Sequence, residues 1–163
     1  MALTMQDADA VASRVEALIQ ENRYQEASHL LDPLASGRTK FPILDRVGAR
    51  LGQSTLRMAH ILRALDDMIS HESVGYYVIA GSALKERLRV NMVTCLKKTA
   101  EYIVVGDHWA KCDSLAERVW GAALVEDFSK AYTFLEKMVN HDNRWIRRRV
   151  PWCAHTHTQI YSS

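Results

Sequence analysis

Apolar residues recur at intervals of three and four along almost the whole chain, and no stretch keeps the period-two alternation of a half-buried strand. Val11, Val15, Leu18 and Ile19 form one face of a first helix that opens near Thr4 or Asp7. Ala27, Leu30, Leu31 and Leu34 predict a second, ended by the breaker segment ASGRTKFP. Ile43, Val47 and Leu51 predict a third, with Pro42 suited to its first turn and Gly52 to its end. Ser54 is a candidate N-cap for a fourth, which carries Met58, Ile61, Leu62, Leu65 and Met68. A fifth apolar segment, 75–87, holds Tyr77, Val78, Ala80 and Leu84; the sixth carries Met92, Val93, Leu96, Ala100 and Ile103 and stops at Gly106. Asp107 is placed to cap a seventh, 108–124. An eighth runs from about Glu126 through Phe128, Ala131, Leu135 and Met138. A ninth begins after Asn143 and meets Pro151, where a kink or stop is expected.

Short helices joined by short turns predict an all-α protein, an α-solenoid of stacked antiparallel helix pairs filling residues 1–163 as one domain. Asp107-His108-Trp109 and Asn143-Arg144-Trp145 share a cap-x-Trp pattern. Their separation of about 36 residues falls near the ~34–47 residue periods of helical-hairpin repeats. A plain helical bundle with the same helix lengths is the alternative. The last residues, HTHTQIYSS, follow soon after a helix start without a polar capping element, as expected of a truncated or short array.

Composition narrows the setting more than the chemistry. A hydrophobic fraction of 48% and a charged fraction of 25% are ordinary for a folded chain. No apolar run reaches the roughly 18 residues of a membrane span, and MALTMQDADA lacks the basic start and apolar centre of a signal peptide. Cys95, Cys112 and Cys153 are odd in number and form no CxxC pair, so buried free thiols in a reducing compartment are expected. The cytoplasm is the expected location. Net charge is only +2, so any basic surface must be local: Arg144, Arg147, Arg148 and Arg149 are the densest cluster.

The chemistry-bearing stretch is GDHWAKCDSLAERVW, residues 106–120. On a wheel of about 100° per residue with Trp109 at zero, Cys112, Leu115, Ala116, Val119 and Ala123 form the core stripe. Lys111, Ser114 and Arg118 fall on the far, solvent side. Trp109, Asp113 and Trp120 lie along one edge of the stripe, and Trp109 and Asp113 are neighbours at i and i+4. A carboxylate beside an edge indole suits a ligand-facing pair; packing and the helix dipole explain the same residues without one. Arg147, Arg148 and Arg149 point in different directions round a helix, so one or two at most meet the same ligand. Arginine is the preferred partner of phosphate because its planar fork bonds two oxygens at once. Trp145 and Trp152 are either aromatic faces beside them or core. The string Cys153-x-His155-x-His157 puts its imidazoles at i and i+2, a spacing that does not converge on a metal. His108 and His141 read as turn residues at helix starts.

The segments YIVVGDHWAKCDSLAERVWGAAL and NRWIRRRVPWCAH resemble the DNA alkylation repair family of HEAT-like-repeat DNA glycosylases, the AlkD-like proteins. The likeness covers roughly residues 75–157. It implies an all-α solenoid curved round a positively charged concave face that holds duplex DNA, and hydrolysis of the N-glycosidic bond of N3- or N7-alkylated purines. The family's W-x-x-x-D pair is matched by Trp109 and Asp113, the implied catalytic residues. Its W-x-R-R segment is matched by Trp145, Arg147 and Arg148, the implied DNA-binding residues, with Arg148 in the place of the active-site arginine. The family pattern runs on into further helices that bring another aromatic residue to the lesion, to which no residue of this sequence is assigned.

The implied chemistry suits these side chains. An alkylated purine already carries positive charge and leaves without a general acid. The barrier is the developing cation on the deoxyribose, which a carboxylate stabilises while orienting or deprotonating water. An indole face adds apolar and cation–π contact, and an arginine holds the flanking phosphate. Neither a metal nor an organic cofactor is called for. Two other readings stand beside this one: a non-catalytic module that binds DNA or a protein partner through the same face, and an unrelated helical bundle.

Overall fold

The computed structural model describes the backbone of residues 2–161, and the side chains of these except Trp152 and 154–161. Among the described residues there are nine helices and no strand: α1 (Met5–Gln20), α2 (Tyr24–Ala35), α3 (Phe41–Gln53), α4 (Met58–Ile69), α5 (Val74–Glu86), α6 (Leu88–Gly106), α7 (Trp109–Glu126), α8 (Phe128–Glu136) and α9 (Arg144–Tyr161). They stack in two layers. The odd-numbered helices pack side by side in chain order, each on the next, and α2, α4, α6 and α8 do the same behind them. This is the expected solenoid of helix pairs. The odd helices lie closer together than the even ones.

Local chemistry starts several helices where the pattern predicts. The Thr4 hydroxyl accepts the Asp7 N–H at 3.2 Å and the Asp7 carboxylate accepts the Thr4 N–H at 2.7 Å, a reciprocal cap for α1. Pro42 sits in the first turn of α3. Asn143 Oδ1 accepts the N–H groups of Trp145 and Ile146 at 2.9 and 3.3 Å and opens α9. Ser54, in contrast, closes α3 instead of opening α4; its hydroxyl donates to the Leu51 carbonyl at 2.7 Å. That junction is sealed by the buried Arg87, whose guanidinium donates to the carbonyls of Gly52 and Ser54 at 2.6 and 2.8 Å. A cation there satisfies carbonyls that every helix C-terminus leaves without partners. Pro151 does not stop α9, which runs on to Tyr161. The proline faces solvent while Ile146, Val150 and Cys153 are buried on either side of the missing N–H.

The central helix is α5, and every residue from Gly75 to Leu84 is buried. It is enclosed by α3 and α7 within its layer and by α2, α4 and α6 from behind. Such a helix needs no amphipathic stripe. Close approach is bought by small residues: a Cβ added at Gly48 of α3 would lie 2.3 Å from the Ile79 carbonyl oxygen of α5. No helix among the described residues is long and apolar enough to cross a membrane.

Candidate active site

The site is built where α7 meets α9. Here α6 ends in Gly106, and a Cβ at that glycine would fall 2.9 Å from the Tyr77 ring, so the chain turns tightly against α5. Asp107 then takes a left-handed conformation, φ 38° and ψ 44°. It does not cap α7 as the sequence suggests. His108 does, through Nδ1, which accepts the Ala110 N–H at 3.2 Å. The Asp107 carboxylate instead accepts the indole N–H of Trp145 at 3.0 Å, across the gap to α9.

Along α7, Cys112, Leu115, Ala116, Val119 and Ala123 are buried, as the wheel predicts. The buried arc is much wider than that stripe, because α7 is packed by α5, α6, α8 and α9 at once. Trp120 is therefore fully buried, its indole donating to the Leu96 carbonyl at 3.4 Å. Ser114 is buried too. Arg118, predicted to face solvent, reaches across Gly81 of α5 to Asp45 of α3, with Nε 2.6 Å from Oδ1. Ser82 of α5 donates to the same oxygen at 2.5 Å. Three helices are tied by one carboxylate. Burial pushes the Asp45 pKa up, but the hydrogen bonds from Arg118 and Ser82 outweigh it and hold the group below the usual carboxylate range.

Trp109 stands at the start of α7 with 55% of its surface exposed, its ring tilted against His108. One turn on, the Asp113 side chain is 24% exposed and divides its two oxygens between two arginines of α9. Oδ2 lies 3.7 Å from Arg148 Nη2, on the open side. Oδ1 is buried without a hydrogen bond and faces Arg149 Nε at 3.5 Å. Both contacts are longer than charge-assisted hydrogen bonds, so the carboxylate is held by charge without being saturated.

The three consecutive arginines diverge, as helix geometry requires. Arg147 folds back on the loop before α9 and donates to the carbonyls of His141 and Asp142, each at 2.7 Å. Arg148 is half-exposed and lies over Trp145, its Cζ 5.7 Å from the ring centroid. Arg149 is buried and bonds Glu117 of α7 at 2.7 Å. The structure thus brings Asp113, Arg148 and Trp145 to one seam, beside Trp109, and turns Arg147 away from it. Trp145 is partly buried; its face carries Arg144 at 4.4 Å as well as Arg148.

Three participants were not singled out for these roles in the sequence: Arg149, Glu117 and the acceptor Asp107. Arg149 was detectable, because Ile146, Arg149, Val150 and Cys153 follow the i, i+3, i+4, i+7 spacing of a core stripe, and all four are buried. Nothing local identified the partner of Asp107. Cys112 and Cys153 are buried near these charges. Burial, with the Asp113 charge adding to it, pushes the Cys112 thiol up to about 12, and burial pushes Cys153 up to about 11. Both stay protonated and act as packing. The imidazoles of His155 and His157 and the Trp152 ring lie outside the described residues. Among the described residues no group of three or more His, Cys, Asp or Glu side chains is placed to hold a metal ion.

Compared with known protein families, the chain matches that of the DNA alkylation repair enzyme over residues 39–159. Neither the curated proteins nor the solved structures returned a match.

Proposed function

The chain belongs to the DNA alkylation repair enzyme family, and on that premise we propose that the α7–α9 seam acts on duplex DNA, releasing cationic N3- or N7-alkylated purines by hydrolysis of the N-glycosidic bond. The observation that carries this reading is the Asp113 carboxylate, which is ionically held by two arginines yet keeps one edge open beside an exposed indole. Fold alone does not assign a reaction; the side chains at this seam do.

The odd helices are the more closely spaced layer, and a stack that is closer on one side curves toward that side. The exposed edge of α7 and α9 then faces the concave surface, where a duplex is received. Arg148 meets a backbone phosphate. At 3.7 Å its guanidinium is attracted to Asp113 without being locked there, so an incoming phosphate competes for it directly. Trp109 offers its ring to the deoxyribose or the damaged base, both of which carry positive charge on the way to the transition state.

As the bond between C1′ and the purine nitrogen lengthens, its electron pair goes to the base and neutralises the alkylated ring. Positive charge grows on C1′, and Asp113 stabilises it. Water then attacks C1′, its proton passes to the Asp113 carboxylate, and a free base and an abasic sugar result. Arg149 stays with Glu117 and keeps a positive charge behind Oδ1 throughout, which holds the carboxylate in place while Oδ2 faces the open side.

The test is release of 7-methylguanine from duplex DNA under single-turnover conditions. Wild type is expected to release base above the spontaneous rate, and Asp113→Asn to lose about 10²–10³ of the acceleration. Equal rates for the two would remove Asp113 from the chemistry. DNA affinity that falls steeply with salt, without base release, would make this a DNA-binding module.

A further inference from the structure

Asp107 closes α6 in a left-handed conformation, its N–H donating to the Ile103 carbonyl at 3.1 Å, but its carboxylate caps neither α6 nor α7. With φ 38° it occupies the left-handed position that follows α6, where glycine is the usual choice. It also passes over the N-cap of α7, a place aspartate fills better than the histidine that holds it. A local advantage, the side-chain cap of α7, is given up at this residue. What the carboxylate does instead is accept the Trp145 indole N–H at 3.0 Å.

That bond fixes a ring on which the site depends. Two guanidinium groups lie over the Trp145 ring, Arg144 at 4.4 Å and Arg148 at 5.7 Å from its centroid. Arg148 in turn faces Asp113 at 3.7 Å. The contacts run as one line, from Asp107 to Trp145 to Arg148 to Asp113. The position of Arg148 is otherwise lightly constrained, since the group is half-exposed and its ion pair with Asp113 is long. The indole platform is its main guide; core packing limits that ring to a few rotamers, and the N–H bond to Asp107 selects among them.

We propose that Asp107 is a positioning residue, which orients Arg148 over the DNA phosphate by anchoring the Trp145 ring. The role rests on the reading of the α7–α9 seam as a base-release site, but the anchoring itself can be measured without DNA. Asp107→Gly removes the acceptor and suits the left-handed backbone. Asp107→Asn keeps an acceptor oxygen and tolerates the same backbone. The two variants therefore separate the side-chain bond from the turn.

In a 15N-labelled chain, the Arg148 Nε–H signal is assigned with Arg148→Lys. In wild type it is expected to show an upfield ring-current shift, to keep that shift in Asp107→Asn and to lose it in Asp107→Gly. Single-turnover release of 7-methylguanine is expected to fall about tenfold in Asp107→Gly and to stay within about twofold of wild type in Asp107→Asn. An Arg148 signal unchanged in Asp107→Gly overturns the proposal, whatever the rate. A signal that collapses while the rate is kept overturns the positioning role. If wild type releases no base, the base-release reading fails, and the anchoring is decided by the Arg148 signal alone.

Discussion

α7 has two working faces, and they are built to opposite standards. Toward α5 and α3 the contacts are close and saturated. The backbones approach over glycines, and Asp45 receives hydrogen bonds from Arg118 and Ser82 at 2.6 and 2.5 Å. Toward α9 the charges stand at 3.5 and 3.7 Å, one carboxylate oxygen has no hydrogen bond, an indole is exposed and an aspartate is left-handed. The first face spends its side chains on stability. The second keeps binding capacity in reserve, which is where local rules are expected to be broken in a protein that acts on something.

The sharpest way to break this contrast is at the tight face. In Gly48→Val, the first added carbon alone would lie 2.3 Å from the Ile79 carbonyl oxygen and 2.7 Å from the Ser82 Cβ, so α3 must move off α5. Overpacking of backbone against backbone is expected to cost about 3 kcal/mol. A fall in Tm of roughly 6–12 °C follows for a chain of this size. A thermal scan that shifts by less than about 2 °C would show that the two helices are not in close contact.

At the open face, Arg149→Met removes the buried cation that faces both Asp113 and Glu117. Full burial of the pair would put the loss at about 3–5 kcal/mol, but Glu117 is 50% exposed and water reaches it, so about 2 kcal/mol is expected. Urea unfolding at neutral pH measures it. A variant as stable as wild type would mean that the cation serves the site and not the fold.

The smallest effect is a pH dependence at the tight face. Asp45 is held below the ordinary carboxylate range, so its stabilising contribution is present above about pH 4 and is lost as pH falls through its lowered folded value. Arg118→Gln is expected to cost about 1 kcal/mol at pH 7, since Asp45 is partly solvated, and progressively less below about pH 4. Wild-type and variant curves of Tm against pH should converge on the acid side. Parallel curves would dissociate Asp45 from Arg118.

Much of the frame was legible from spacing alone. Thr4, Pro42 and Asn143 open their helices where capping chemistry predicts, and the apolar stripe of α7 is buried as expected. The two errors on that helix have one cause. A wheel assumes one buried face, whereas α7 has neighbours on four sides, so Ser114 is buried and Arg118 is drawn across α5 to Asp45. In the candidate site, Trp109 and Asp113 were readable because both sit on one helix, four residues apart. That Asp113 and Arg148 share one site was implied only by family likeness, and the structure sets them 3.7 Å apart.

By itself, then, the sequence determined what depends on residues within a few turns of each other: helix type, the helix starts at Thr4, Pro42 and Asn143, the apolar stripe of α7, and the divergence of Arg147, Arg148 and Arg149. Tertiary structure alone decided what depends on partners more than thirty residues apart. It gave Arg149 its carboxylates and Arg118 its path across Gly81. It also took Asp107 from the cap of its own helix to the indole of another. The physical reason is that a hydrogen bond or ion pair is set by distances of a few ångströms. Side chains from different helices reach those distances only after the apolar faces have packed.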